Sequence, residues 1–309
     1  MPVNSAFLHD QLQYVQNAVV EQDFPDKLMG SGALVDISTE IPVGADTYTY
    51  KILTYLGEAA ILGNGANDIP MVNAYVEKRV GQVRTIADKY EVTVEDLEHS
   101  QMAGMNIDTS MGIGAREIIE TKFDLLGYDG DPNYNLLGVI TLPNIPEYTV
   151  ANDGTGSTTE FANKTPAQIY RDLSEFISET KIASKYVFNP QWLWLPPAQY
   201  ELVMTTPYSD NNTASDTIGS LLMKTQADML NGIQGILPVP YLEGKGTGGT
   251  DLMLTHIKRP DLIQFHMPLG FEQRPRSQEM DLAFEVVCRL KTGGVENKKP
   301  LSLRKAEGI

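Results

Sequence analysis

Hydrophobic and polar positions alternate along two stretches of this chain. Thr47, Thr49 and Lys51 alternate with Tyr48, Tyr50 and Ile52, which predicts a strand over 47–55. A second extended piece over 59–62, ahead of an Asn64-Gly65 turn signal, would complete a projecting hairpin. Residues 71–86 read as a strand followed by a short turn. Toward the C-terminus, Leu282, Phe284, Val286 and Cys288 alternate with Ala283, Glu285, Val287 and Arg289. Extended segments are expected over 262–269, 280–289 and 295–303.

Helical spacing dominates elsewhere. Ile169, Leu173, Phe176, Ile177 and Ile182 form one stripe, and Thr165-Pro166 is a start signal, so a helix is expected over 166–183. A longer, interrupted spine is expected over 93–127. Thr93 and Asp96 are spaced as a capping pair. Leu97, Met102 and Met105 follow, with a break near 106–108. Met111, Ile118, Ile119, Phe123 and Leu126 then lead to a stop at Gly127. Thirty helical residues reach about 45 Å, longer than a small domain is wide, so such a spine needs an equally long partner. Residues 128–164 read as a connector. Short helices are expected at 198–205 and within 213–231, and strands at 186–195, 233–239 and 252–257. The fold class is α+β.

Two segments cannot bury themselves. Phe7, Leu8, Leu12, Val15 and Val19 recur at helical spacing over Ala6–Val20, but such an arm has too little mass to cover its own apolar side. It must lie on another surface, of this chain or of a neighbour. The tyrosine-rich hairpin poses the same problem.

Composition narrows the picture. The chain has 309 residues, is 42% hydrophobic and carries a net charge of −16. It can fill a core, and it shows no basic stripe of the kind a sequence-reading nucleic-acid binder needs. No apolar run reaches the 18 residues of a membrane span, and MPVNSAFLHDQLQYVQ lacks the pattern of a secretory signal. Cys288 is the single cysteine, so neither an internal disulfide nor a thiolate metal cage can form. The excess acid lies before residue 260. The last fifty residues are near neutral, with Arg274, Arg276, Arg289, Lys291, Lys298, Lys299, Arg304 and Lys305. Either this is an ordinary domain end, or it meets an acidic surface of the next copy.

Chemistry-bearing motifs are scarce. His9, His99, His256 and His266 are scattered and form no metal-binding spacing. Gly-x-Gly occurs within 62–68 and 112–117 without completing a dinucleotide or phosphate loop. GKGTGGTD at 244–251 reads as a mobile loop tip. Asp129 and Asp131 flank Gly130 as a solvated acidic turn. Tyr186, Phe188, Trp192 and Trp194 read as one buried face of a strand, and Cys288 as a small buried hydrophobe. No catalytic, cofactor-binding or metal-ligating residue is expected.

Several segments, in order, resemble a known family. They are DLEHSQMAGMNIDTSMGIGAREIIETKFDLLGYDGD (96–131), LLGVITLPNIP (136–146), WLWLPPAQYELVMTTPYS (192–209) and the closing FEQRPRSQEMDLAFEVVCRLKTGGVENKKPLSLRKAEGI (271–309). Together they are similar to the tailed-phage major capsid proteins of the Hong Kong 97-type fold. The resemblance implies an N-terminal arm at 1–35, an extended loop at 36–65, a peripheral domain from 66–146 and 258–309, and an axial domain at 147–257. It implies hexamers and pentamers closing into an icosahedral shell around double-stranded DNA, bound without sequence specificity. It also implies scaffolding, portal and decoration proteins as partners, assembly in the host cytoplasm, and no enzyme activity or membrane. The expected intersubunit contacts are Tyr48, Tyr50, Ile52 and Tyr55 of the loop, Phe7, Leu8 and Leu12 of the arm, and Lys245 near the capsomer centre. Some family members are crosslinked by a Lys–Asn isopeptide bond, and the resemblance assigns no such pair in this sequence. An encapsulin-like shell with protein cargo and a hydrolase with an unseen site are the alternatives.

Overall fold

The computed structural model describes residues 24–61, 69–103, 107–209, 216–227, 232–274, 277–280 and 283–309. The expected arm helix, with Phe7, Leu8 and Leu12, and the Asn64-Gly65 turn lie outside them. The chain begins with strands β1 (Ile37–Ser38), β2 (Thr47–Leu56), β3 (Asn73–Gln82) and β4 (Arg84–Thr93), then helices α1 (Val94–Ala103) and α2 (Ile107–Asp129). Short strands β5 (Gly130–Asp131), β6 (Leu136–Leu137) and β7 (Glu147–Thr149) lead to α3 (Pro166–Ala183). Next come β8 (Trp192–Leu195), α4 (Pro197–Thr205), α5 (Ile218–Ala227), β9 (Gly235–Pro238) and β10 (Leu252–His256). The remainder is mostly strand: β11 (Ile263–His266), β12 (Leu269–Gln273), β13 (Ser277–Met280), β14 (Ala283–Thr292), β15 (Gly294–Asn297) and β16 (Arg304–Glu307).

A five-stranded sheet, in the order β7-β16-β10-β8-β9, forms a wall between two cores. The two-residue period of a strand sends neighbours to opposite faces. Leu193, Leu195 and Met253 therefore join one core, and Trp194, Leu252 and Leu254 the other. On the first side α3 supplies Leu173, Phe176 and Ile177, and α5 supplies Ile218 and Leu222. Thr165 and Gln168 satisfy each other's exposed amides as a capping box, with Pro166 in the first turn. On the second side α2 lays Ile119 and Phe123 against Phe265, Val286, Cys288 and Leu290. The Phe123 and Phe265 rings stack 4.2 Å apart. Strand β14 pairs with β4 along its whole length, from Ala283↔Thr93 to Thr292↔Arg84. This is the long partner that the spine requires.

Four expectations shift. The second hairpin strand is β3, not 59–62: ten consecutive pairs run from Thr47↔Gln82 to Leu56↔Asn73. The stretch 71–86 divides into β3 and the start of β4, because the bend between them tucks Val83 into the interior. Only Trp192–Leu195 of 186–195 is strand. Lys185 and Tyr186 take positive φ of 51° and 63° to end α3, which turns Tyr186 out to solvent while Trp194 is buried. Finally, strand pairing stops at Asn297, and β16 enters the five-stranded sheet between β7 and β10. The segment 258–309 thus sends its last strand into the sheet built from 147–257. Thr93 and Asp96 do cap α1: Asp96 N donates to Thr93 Oγ1 at 3.1 Å, and Thr93 N to Asp96 Oδ2 at 3.4 Å.

Candidate assembly surfaces

The β2–β3 hairpin is anchored at one end and bare at the other. At the root, Tyr48 donates its hydroxyl to Gly293 O at 3.2 Å. Its ring lies 4.7 Å from that of His266, which is itself joined to buried Glu296 at 2.6 Å. Burial and the nearby Glu296 carboxylate push the Tyr48 phenol well above its ordinary range. Gly81, directly opposite Tyr48, leaves room for that ring, since a Cβ there would sit 2.2 Å from it. Val83 N donates to Asp46 O at 2.9 Å, and Lys291 Nζ to Val43 O at 2.7 Å, so both strands leave the body at fixed points. Tyr50 and Ile52 are half-buried higher up.

Beyond Ile52 the cover ends. Leu53, Leu56, Ile61, Ile69, Val72 and Val76 are exposed, as are Tyr55 (69%), Met71 (78%) and Tyr75 (67%), and nearer the root Val80, opposite Thr49, is exposed too. Single exposed apolar side chains are ordinary, but a concentration on one projecting element marks an interaction surface. Of the four hairpin residues expected at subunit contacts, Tyr48 packs on its own subunit, Tyr50 and Ile52 are partly covered, and Tyr55 is open. The sequence reading missed the β3 share of this surface because it placed the return strand too early.

Two further exposed patches occur. Met111, Ile113 and Ile118 face outward from α2, and Ile182, Tyr186 and Val187 project around the end of α3. The glycine-rich loop is tied down rather than free. Lys245 Nζ meets Asp129 Oδ2 at 2.6 Å, Gly244 N donates to Asp251 Oδ1 at 2.9 Å, and Thr247 N donates to Glu307 Oε2 at 2.8 Å. Positive φ at Gly244, Gly248 and Gly249 explains the glycine density. Both partners of the Lys245–Asp129 pair are about one-third exposed, so solvent screens it. Lys245→Ala is expected to lower subunit stability by less than about 1 kcal/mol. Urea denaturation measures this, and a loss several times larger would mean the loop is held chiefly by that pair.

Titratable groups show no catalytic arrangement among the described residues. No group of three or more His, Cys, Asp or Glu could hold a metal there. His256 is fully buried and donates its Nε2–H to Leu34 O over 2.8 Å, and burial pulls its pKa down to about 3. Burial pushes the Cys288 thiol up, away from nucleophilic use. Lys164 is buried in an ion pair with Asp172, whose other oxygen takes Arg171 Nη2 at 2.6 Å. A cleft of about 480 Å³ lies between α2 and β12, lined by Lys27, Arg116, Glu120 and Phe271. Its cations are spoken for: Lys27 pairs with Glu117 and Glu120, and Arg116 with Glu120. No described helix is long and apolar enough to cross a membrane.

A long helix beside a strand pair, a second core hung on a shared sheet, and a bare projecting hairpin define a shell-forming subunit. The chain belongs to the major capsid protein family, whose model matches residues 57–309. None of the proteins of curated function matches the sequence significantly. Solved structures do. The capsid of Myoviridae phage XM1 aligns with a TM-score of 0.79 at 16% identity, covering 97% of this chain and 98% of that one. The capsid of a native GTA particle aligns at 0.71 and 9% identity, covering 99% of each. Mycobacterium phage Ogopogo aligns at 0.62 and 12% identity, again covering 99% of each. The fold is the Hong Kong 97-type capsid fold. The protein is a major capsid protein, a structural component of the virion shell and not an enzyme. This sets aside the hydrolase alternative and disfavours the encapsulin-like one.

Proposed function

We propose that this protein closes, as hexamers and pentamers, into the icosahedral shell that surrounds the double-stranded DNA of a tailed bacteriophage. The observation that carries this reading is the hairpin: its root is fixed to its own subunit, and its outer half exposes a run of large apolar residues. That surface is satisfied by other copies, and many modest contacts acting together hold a closed assembly. The arm at 1–35 and the extended loop, read here as reaching to Gln82, are the segments that embrace neighbours. The spine and the β4–β14 pair form the peripheral domain, and the α3–α5 core forms the axial domain. The glycine-rich loop with Lys245 faces the capsomer centre. A net charge of −16 suits a container whose wall does not hold packed DNA tightly. Scaffolding, portal and decoration proteins are the further partners, and assembly takes place in the host cytoplasm.

Electron microscopy of the purified full-length protein tests this. Closed shells with fivefold and sixfold clusters are expected. A protein that stays monomeric under every assembly condition, and is missing from virions of its source, would sink the proposal.

A further inference from the structure

One pair of side chains on the hairpin is mutually repulsive within the subunit. Lys51 on β2 stands directly opposite Lys78 on β3. Directly opposed residues on one face of an antiparallel pair have Cβ atoms about 5 Å apart, and like charges there repel. Both lysines are exposed, and neither forms an ion pair with a described residue. The opposite face is neutralised internally: Arg79 Nε donates to Glu77 Oε1 at 2.9 Å, and these residues face Tyr50 and Ile52.

The lysine face is also the barer one. Thr49 pairs with Val80, Leu53 with Val76 and Tyr55 with Ala74, so apolar residues lie on both sides of the lysine pair. Val80, Leu53, Val76 and Tyr55 are all exposed. Within β2 and β3 there are three cations and one carboxylate, on a chain whose overall charge is −16. Glu58 and Asp68 in the connection bring the whole hairpin to neutrality, but the face that holds Lys51 and Lys78 has no carboxylate of its own, so this face is a basic, apolar surface on an acidic protein.

We propose that this face docks on a second copy of the chain, with a carboxylate of that copy seated between Lys51 and Lys78 and an apolar strip beneath Leu53, Tyr55, Val76 and Val80. The proposal rests on the shell reading above and adds which face turns to the neighbour and what chemistry meets it. Charge complementarity selects the occupant: the chain carries 40 carboxylates against 24 cations, so the surface of another copy supplies the missing anion. The flanking apolar residues argue against a phosphate backbone, which offers nothing to cover them. In the free subunit the two lysines also discourage edge-to-edge pairing of hairpins.

The substitution Lys78→Glu separates the two roles. It places a carboxylate opposite Lys51, so the hairpin itself gains a cross-strand ion pair and is at least as well formed. The docked carboxylate of the neighbour now meets a like charge. The protein concentration needed for shell assembly is expected to rise at least about tenfold at low salt, with the circular dichroism and melting of the free subunit unchanged. K51R/K78R should assemble as the unaltered protein does. Shells grown from mixed 14N- and 15N-labelled subunits and treated with a carbodiimide should yield heavy-to-light peptide crosslinks from Lys51 or Lys78 to Asp or Glu.

K78E shells forming at the unaltered concentration, or crosslinks confined to single chains, overturn the proposal while leaving the shell reading intact. So does a K78E protein that assembles normally but loses binding of a double-stranded DNA probe. Unaltered protein that never forms shells overturns both.

Discussion

Excision of Leu53–Val76, with Ile52 joined to Glu77 through an Asn-Gly turn, is expected to give a subunit that folds and does not form shells. The new turn falls at a natural pair, since Ile52 faces Glu77, and a two-residue Asn-Gly connection matches the twist of antiparallel strands. Everything that fixes the hairpin to the body is kept: Tyr48 on Gly293 and His266, the Asp46–Val83 bond and the Lys291–Val43 bond. The described residues that are removed are all exposed in the free subunit, so their loss costs subunit stability less than about 1 kcal/mol. The same residues are those that neighbours would cover. Burying one large apolar side chain is worth about 1.5–3 kcal/mol, so losing several from every copy removes most of the drive to assemble. Circular dichroism, urea denaturation and electron microscopy on one preparation would decide it. A collapsed circular dichroism spectrum would show that the hairpin tip belongs to the subunit's own core, and normal shells would show that the contacts lie elsewhere.

Acid is expected to weaken the subunit through His256. The imidazole is fully buried beside the Trp194 ring, 4.4 Å away, with Leu34 O on Nε2 and no described partner on Nδ1. Lys258 adds a nearby positive charge. Burial is the main reason that its pKa falls to about 3, against about 6.5 in an unfolded chain. As pH drops below about 6.5, the unfolded state takes up the proton first, so the stability contribution present at neutral pH is lost progressively toward pH 3. Between pH 7 and pH 4 the loss is on the order of 3 kcal/mol. His256→Gln keeps an N–H donor for Leu34 O and removes the titration. Its stability should therefore fall less over that interval by about the same amount. Urea midpoints at the two pH values, measured on the excised-tip subunit so that shell dissociation does not intrude, provide the check. Parallel pH dependences for the two proteins would rule His256 out as the acid-sensitive group.

Much of the fold was legible from local pattern. The α3 helix announced itself because its apolar stripe, its capping pair and its proline all point the same way. Strand β2 did so because β-branched and aromatic residues alternate there. The family resemblance carried the overall class, resting on long segments such as 96–131 and 271–309 rather than on any single motif. What failed to show was pairing. Asn73–Gln82 has no clean two-residue period, since both of its faces are largely exposed, and so β3 was not recognised as the partner of β2. Nor could the sequence tell that the glycine-rich loop is tied to Asp129 and Glu307, because those anchors are distant in the chain.

The sequence by itself settled which segments have enough apolar surface to form a core and which are left over, because period and composition are local properties. It settled the acidity and the scarcity of short chemistry-bearing motifs for the same reason. Only the tertiary structure decided that β16 returns to the sheet of the α3 core, that Tyr48 serves its own subunit while Tyr55 stays open, and that two lysines face each other across the hairpin. Those depend on strand register, and register follows from which faces the whole chain can bury at once.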